Sequence, residues 1–144
     1  MSAQATAVER LDVSFASGDA SCSAWLHRPA GDRPAPVVVL GHGLGATREL
    51  RLDAYGRRFA EHGLAALAFT YRHFGDSGGT PRQLLSIDRQ LEDWESAISY
   101  ARTREDVDAG RMAIWGSSFG GGHAITIAAR PSRSRSSPRP ARSR

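Results

Sequence analysis

The sequence predicts an α/β fold whose central strands run parallel, joined by crossover helices and fed by an antiparallel hairpin. Three observations point there. Pro36 to Leu40 is a short run without a polar side chain, as in strands covered on both faces, and Leu64 to Tyr71 is a second apolar run. Between and after these runs, apolar residues recur at helical spacing. A third apolar stretch, Arg111 to Trp115, passes directly into Gly116-Ser117-Ser118-Phe119-Gly120, a strand-to-helix junction.

The elements follow in order. Glu9 to Phe15 alternates polar and apolar residues, Ser17-Gly18-Asp19 supplies turn chemistry, and Ala20 to His27 alternates again, which predicts a half-exposed hairpin. The buried strand Pro36 to Leu40 ends in Gly41-His42-Gly43-Leu44-Gly45. Leu52, Tyr55 and Phe59 share a helical face until His62-Gly63 stops it, and Leu64 to Tyr71 completes a β-α-β unit. Leu84, Ile87, Leu91, Trp94, Ile98 and Ala101 line one face of a second helix. The turn Asp108-Ala109-Gly110 then leads into the strand before Ser118. Alternation of this kind implies right-handed crossovers.

The 144 residues suit one domain, yet composition divides them. Every one of the 19 basic residues is arginine. Residues 1–129 hold 13 Arg against 15 Asp and Glu, whereas Arg130 to Arg144 holds six Arg and no acid. The high pI thus belongs to the tail, which contains only Arg, Ser, Pro and Ala and is expected to be disordered for want of an apolar face. Cys22 stands alone, which excludes an intramolecular disulfide, and the first residues lack a basic and an apolar leader region, so a cytoplasmic protein is expected. No run approaches the ~18 apolar residues of a membrane span, and no membrane partner is expected. The five histidines lack metal-ligand spacing, so neither metal nor cofactor is expected.

Ser118 is the sharpest chemical candidate. In Gly-x-Ser-x-Gly after a strand, Gly116 and Gly120 clear space around a serine that projects from a tight turn. The competing reading is a serine that merely caps a helix. The loop His42-Gly43-Leu44-Gly45 could aim the Leu44 N–H at the oxygen of a tetrahedral intermediate, with the Phe119 N–H as the second donor. The same stretch also fits a dinucleotide fingerprint. However, the next strand ends in Thr70-Tyr71-Arg72 without an acid for a ribose, leaving only Arg72 for a 2′-phosphate. His123 lies about 140° round the helix from Ser118 and should point away. His42 is expected to hold its loop rather than act as a base, while His73, Asp76 and Ser77 form a turn that could border a pocket. Arg-Ser runs can neutralise phosphates, but this tail has no aromatics for base stacking, and nucleic-acid binding is not the expected role.

The strand leading into His42-Gly43-Leu44-Gly45, the segment Phe69-Thr70-Tyr71-Arg72-His73-Phe74-Gly75-Asp76-Ser77, and Gly116-Ser117-Ser118-Phe119-Gly120 together resemble the α/β-hydrolase superfamily. The nearest flavour is that of bacterial dienelactone-hydrolase-like and Xaa-Pro-peptidase-like members. The resemblance covers about residue 8 to Ala129. It implies strands in the order 1-2-4-3-5, a Ser118 nucleophile, Leu44 and Phe119 as oxyanion donors, and a small acyl substrate: ester, thioester, lactone or amide. It also implies an α/β-hydrolase fold truncated after the nucleophile elbow, with residues 1–129 as an N-terminal half. After Ser118 there is no Asp, no Glu and only His123, so the triad acid and histidine of the family are missing. The switch to Arg, Ser and Pro after Ala129, in a chain without lysine, is expected from a reading-frame shift in a GC-rich gene, with a natural truncation or a mistaken gene boundary as alternatives that account less well for the tail's composition. Loss of the histidine alone can cost a serine hydrolase about a millionfold in kcat, so little turnover is expected. The strand before Ser118 should also be an aggregation-prone edge.

Overall fold

The computed structural model describes residues 8–43 and 45–130. Leu44 and residues 131–144, hence nearly all of the arginine tail, lie outside the described residues. Strands β1 (Glu9–Ser17) and β2 (Ala20–Arg28) form the expected hairpin, with Phe15 opposite Cys22. β3 (Ala35–Gly41), α1 (Leu52–Glu61) and β4 (Ala65–Phe69) make the first crossover unit. α2 (Ile87–Thr103), β5 (Val107–Gly116) and α3 (Phe119–Ala129) follow. The sheet order is β1-β2-β4-β3-β5, with β3 parallel to both β4 and β5. This is the mixed sheet the sequence predicts, with Gly41 directly beside Gly116 where two strands end.

Period-two alternation on β3 feeds two cores. Val37 and Val39 pack with Leu26, Leu67, Phe69, Trp94 and Ala97 on the side covered by α2 and α3. Val38 and Leu40 turn the other way onto Leu52, Ala66 and Ala68. Each fully buried Val or Leu contributes about 1.5–3 kcal/mol, which is why β3 tolerates no polar face.

Several elements depart from the sequence expectation. The buried stripe of α1 is Leu52, Gly56 and Ala60 rather than Leu52, Tyr55 and Phe59. The His27 ring fills the space a Cβ on Gly56 would need, so the helix lies close, and Tyr55 is left exposed against Trp115. Ile87, in the first turn of α2, is 52% exposed, and the buried stripe of that helix contains Gln90 and Asp93 beside Leu91 and Trp94. The turn residues Asp108 to Gly110 lie inside β5 as an irregularity, because the register jumps from Ala35 opposite Val107 to Val37 opposite Met112. Asp108 still performs its turn chemistry there, accepting the Gly110 N–H at 3.0 Å. Arg130 ends α3 and meets Glu95 at 2.7 Å.

Candidate active site

Ser118 occupies the junction of β5 and α3 with φ 54° and ψ −117°. An L-residue avoids that conformation, and such strain, of order 1–3 kcal/mol, persists only where surrounding structure enforces it. Here the enforcement is visible. The Ser117 N–H bonds the Gly41 carbonyl at 3.3 Å, the Gly120 N–H bonds Ser117 O at 2.9 Å, and the Gly121 N–H bonds Ser118 O at 2.9 Å. A Cβ on Gly116 would collide with the Gly120 carbonyl, and one on Gly120 with the carbonyls of His42 and Gly41. The two motif glycines are thus required by close backbone approach, whereas a Cβ on Gly122 would meet nothing.

The capping alternative does not hold. Although Ser118 stands at the N-cap position, its side chain makes no capping bond, and the residue is exposed. Among the described residues, no backbone acceptor meets the Phe119 N–H at the start of α3. The loop after β3 lies against this junction: a Cβ on Gly43 would be 3.4 Å from Ser118 Cβ and 3.9 Å from Phe119 N. Ser118, Phe119, Gly116, Gly120 and Gly43 are therefore brought together as the sequence expects. The second expected donor, Leu44, lies outside the described residues.

None of the five histidines is paired with Ser118. His42 is 2% exposed; its Nδ1 meets Gly43 O at 3.0 Å and its Nε2 accepts the Tyr71 N–H at 3.1 Å. Because a backbone N–H can only donate, Nε2 carries no proton and Nδ1–H is the donor to Gly43. Burial pushes the His42 pKa down to about 4, keeping it neutral, so this ring holds the loop as expected. His123 meets Gln90 Oε1 at 2.8 Å and packs edge-on against Phe119 and Tyr71, with burial again lowering its pKa. His27 meets Asp53, His73 meets the Pro81 carbonyl and Arg89, and His62 ends α1.

The neighbouring turn is self-contained. Ser77 Oγ donates to Thr70 O at 2.7 Å and accepts the Ser23 N–H at 2.9 Å. Asp76 takes two bonds from Arg48, which holds its carboxyl below the usual range. Arg72, the one residue the dinucleotide reading could use, is buried on Asp93, with its N–H and guanidinium both bonded to that carboxylate. The sequence reading missed Tyr71 and Trp94 as members of the site. Their signal was the polar atom each carries, which needs a partner once buried. Trp94 Nε1–H donates to Tyr71 Oη at 3.0 Å, and the Tyr71 O–H donates to His42 O at 3.1 Å.

Among the described residues, no group of three or more His, Cys, Asp or Glu could hold a metal, and no helix is long and apolar enough to cross a membrane.

Comparison with known proteins gives the same assignment as the fold. The quorum-quenching protein AidA of Acinetobacter baumannii is 54% identical over 123 residues, covering 85% of this chain and 40% of AidA. A thiohydrolase of Aspergillus aculeatus is 32% identical, across 68% of this chain and 31% of its own length. The crystal structure of the α/β hydrolase GrgF from Penicillium superposes with a TM-score of 0.77 at 29% identity, covering 83% of this chain and 41% of GrgF. The chain thus spans less than half the length of these relatives. The model of the family described as serine aminopeptidase S33 matches residues 32–136, most of the chain. On that match and this sheet order, the chain belongs to the serine aminopeptidase S33 family of α/β hydrolases.

Proposed function

We propose that this chain carries the nucleophile and the oxyanion-binding part of a serine hydrolase acting on a small acyl substrate. The observation that carries the reading is Ser118 itself: strained at φ 54°, exposed, without a capping bond, and beside the Phe119 N–H and the loop at Gly43. In the step envisaged, Ser118 Oγ bonds to the acyl carbon while its proton passes to a base. The carbonyl electron pair moves onto oxygen, where the N–H groups of Phe119 and Leu44 receive it. Collapse of the intermediate expels the alcohol, thiol or amine with that proton and leaves acyl-Ser118, which water hydrolyses. Likeness to a thiohydrolase keeps thioesters among the candidate substrates beside esters, lactones and amides.

The base is not among the histidines of this chain, all of which sit elsewhere, so turnover by the chain itself is expected to be slow. An activated aryl ester supplied with imidazole as external base tests the reading. Because the chain has no lysine to compete, peptide mapping should find one side-chain acyl group, on Ser118, and none on a side chain after Ser118→Ala, acylation of the α-amino group being counted apart. An acyl group on another side chain, or none on Ser118 with imidazole present, would contradict it.

A further inference from the structure

The loop after β3 is held by a relay that starts on α2, where the Trp94 ring lies against Gly41 at the end of the strand. Trp94 and Tyr71 are both fully buried, and their polar atoms are consumed in series: Trp94 Nε1–H to Tyr71 Oη, then Tyr71 O–H to the His42 carbonyl. The same tyrosine uses its backbone N–H on His42 Nε2, which obliges Nδ1–H to bond the Gly43 carbonyl. The His42 and Tyr71 rings lie 4.2 Å apart between centroids, so neither can turn without the other. One residue thus grips two successive carbonyls, that of His42 directly and that of Gly43 through the His42 ring.

Peptide planarity gives those grips a consequence. In a trans peptide the N–H points opposite to the C=O, so holding the His42 carbonyl fixes the direction of the Gly43 amide. The His42 carbonyl is also where Gly120 at the start of α3 packs, since a Cβ there would strike it. The relay therefore ends at the atom shared by the loop and the Ser118 junction. We propose that Tyr71, braced by Trp94, is the positioning residue that fixes the His42–Gly43 peptide unit of the loop beside Ser118, where the oxyanion forms. The proposal rests on Ser118 being the nucleophile for its chemical meaning, and on the hydrogen bonds alone for its geometry.

The test uses the full chain, an activated aryl ester with imidazole, and 15N labelling. In the wild type, the His42 ring should show a protonated Nδ1 and an unprotonated Nε2, and the Gly43 amide a single sharp line. Tyr71→Phe keeps the ring and the backbone N–H. It should preserve that tautomer while the Gly43 line shifts and broadens. Removal of a whole oxyanion donor costs about 10²–10³ in rate, so loosening the peptide unit next to one should slow Ser118 acylation roughly tenfold, and Trp94→Phe, one bond further away, roughly threefold. A merely structural role for the hydroxyl would leave the Gly43 line in place. An Nε2–H tautomer in the wild type, an unmoved Gly43 line in Tyr71→Phe, or acylation of Tyr71→Phe at the wild-type rate would each overturn the proposal. If the wild type takes no acyl group on Ser118 while the tautomer and the Gly43 line behave as stated, the nucleophile reading fails and the positioning of the loop stands. Should Tyr71→Phe not fold, the tautomer and Trp94→Phe decide by the same criteria.

Discussion

Two glycine-rich turns each present a serine, and they treat it in opposite ways. In the turn after β4, Ser77 is 3% exposed, its hydroxyl donates to Thr70 O and accepts from Ser23, and Arg82 reaches the carbonyls of Gly75, Ser77 and Gly79. At the β5–α3 junction, Ser118 is exposed and strained and caps nothing, although backbone bonds lock the peptides around it. Both serines stand between glycines two residues away on either side, Gly75 and Gly79 for Ser77, Gly116 and Gly120 for Ser118. What separates architecture from chemistry is which polar atoms the fold leaves unused.

The largest expected effect lies under the first turn. Asp93 is fully buried and accepts bonds from Ser17 and from both the backbone and the side chain of Arg72. Asp93→Ala leaves that guanidinium without its closest partner and should destabilise by about 3–5 kcal/mol in denaturant unfolding. A slightly smaller effect belongs to His42. Its pKa falls from 6.5 to about 4 in the fold, so the unfolded chain takes the proton first as pH drops. The stability held above pH 6.5 is withdrawn down to about pH 4, by roughly 3 kcal/mol, and the His42 ring should stay neutral through that window in an NMR titration.

At the second turn, Gly120→Ala drives a Cβ into two carbonyls and should cost about 2–3 kcal/mol. Ser77→Ala, which strands the Ser23 N–H and the Thr70 carbonyl, should cost about 2 kcal/mol in thermal or chemical unfolding and leave Ser118 reactive. Gly122→Ala is the smallest and opposite in sign. Nothing stands where its Cβ would go and the site is inside α3, so it should stabilise by about 1 kcal/mol. If Gly120→Ala and Gly122→Ala behaved alike, the close approach at the junction would be refuted.

The fold was legible because its signals are local. Apolar runs gave β3 and β4, and the Gly-x-Ser-x-Gly junction gave the end of β5, each to within a few residues. Helix faces were read less well. Tyr55 was expected inside and lies outside, because Gly56 lets α1 settle on the His27 ring. Gln90 and Asp93 were passed over as polar residues of α2, although both are buried, Gln90 satisfied by His123 and Asp93 by Arg72 and Ser17. At the candidate site, motif spacing was enough to place Ser118, Phe119 and Gly43 beside one another. It did not place Tyr71 and Trp94, since their roles depend on bonds that cross from α2 to the loop after β3 and no spacing rule encodes them.

The central claim, that the fold frees one serine and consumes the other, is tested most directly by a fluorophosphonate probe with added imidazole, followed by peptide mapping. Wild type, Ser77→Ala and Ser118→Ala would be compared. The account predicts a tag on Ser118 in the first two proteins and no tag in the third. A tag on Ser77, equal tagging of Ser118→Ala, or a wild-type chain that takes no tag would contradict it.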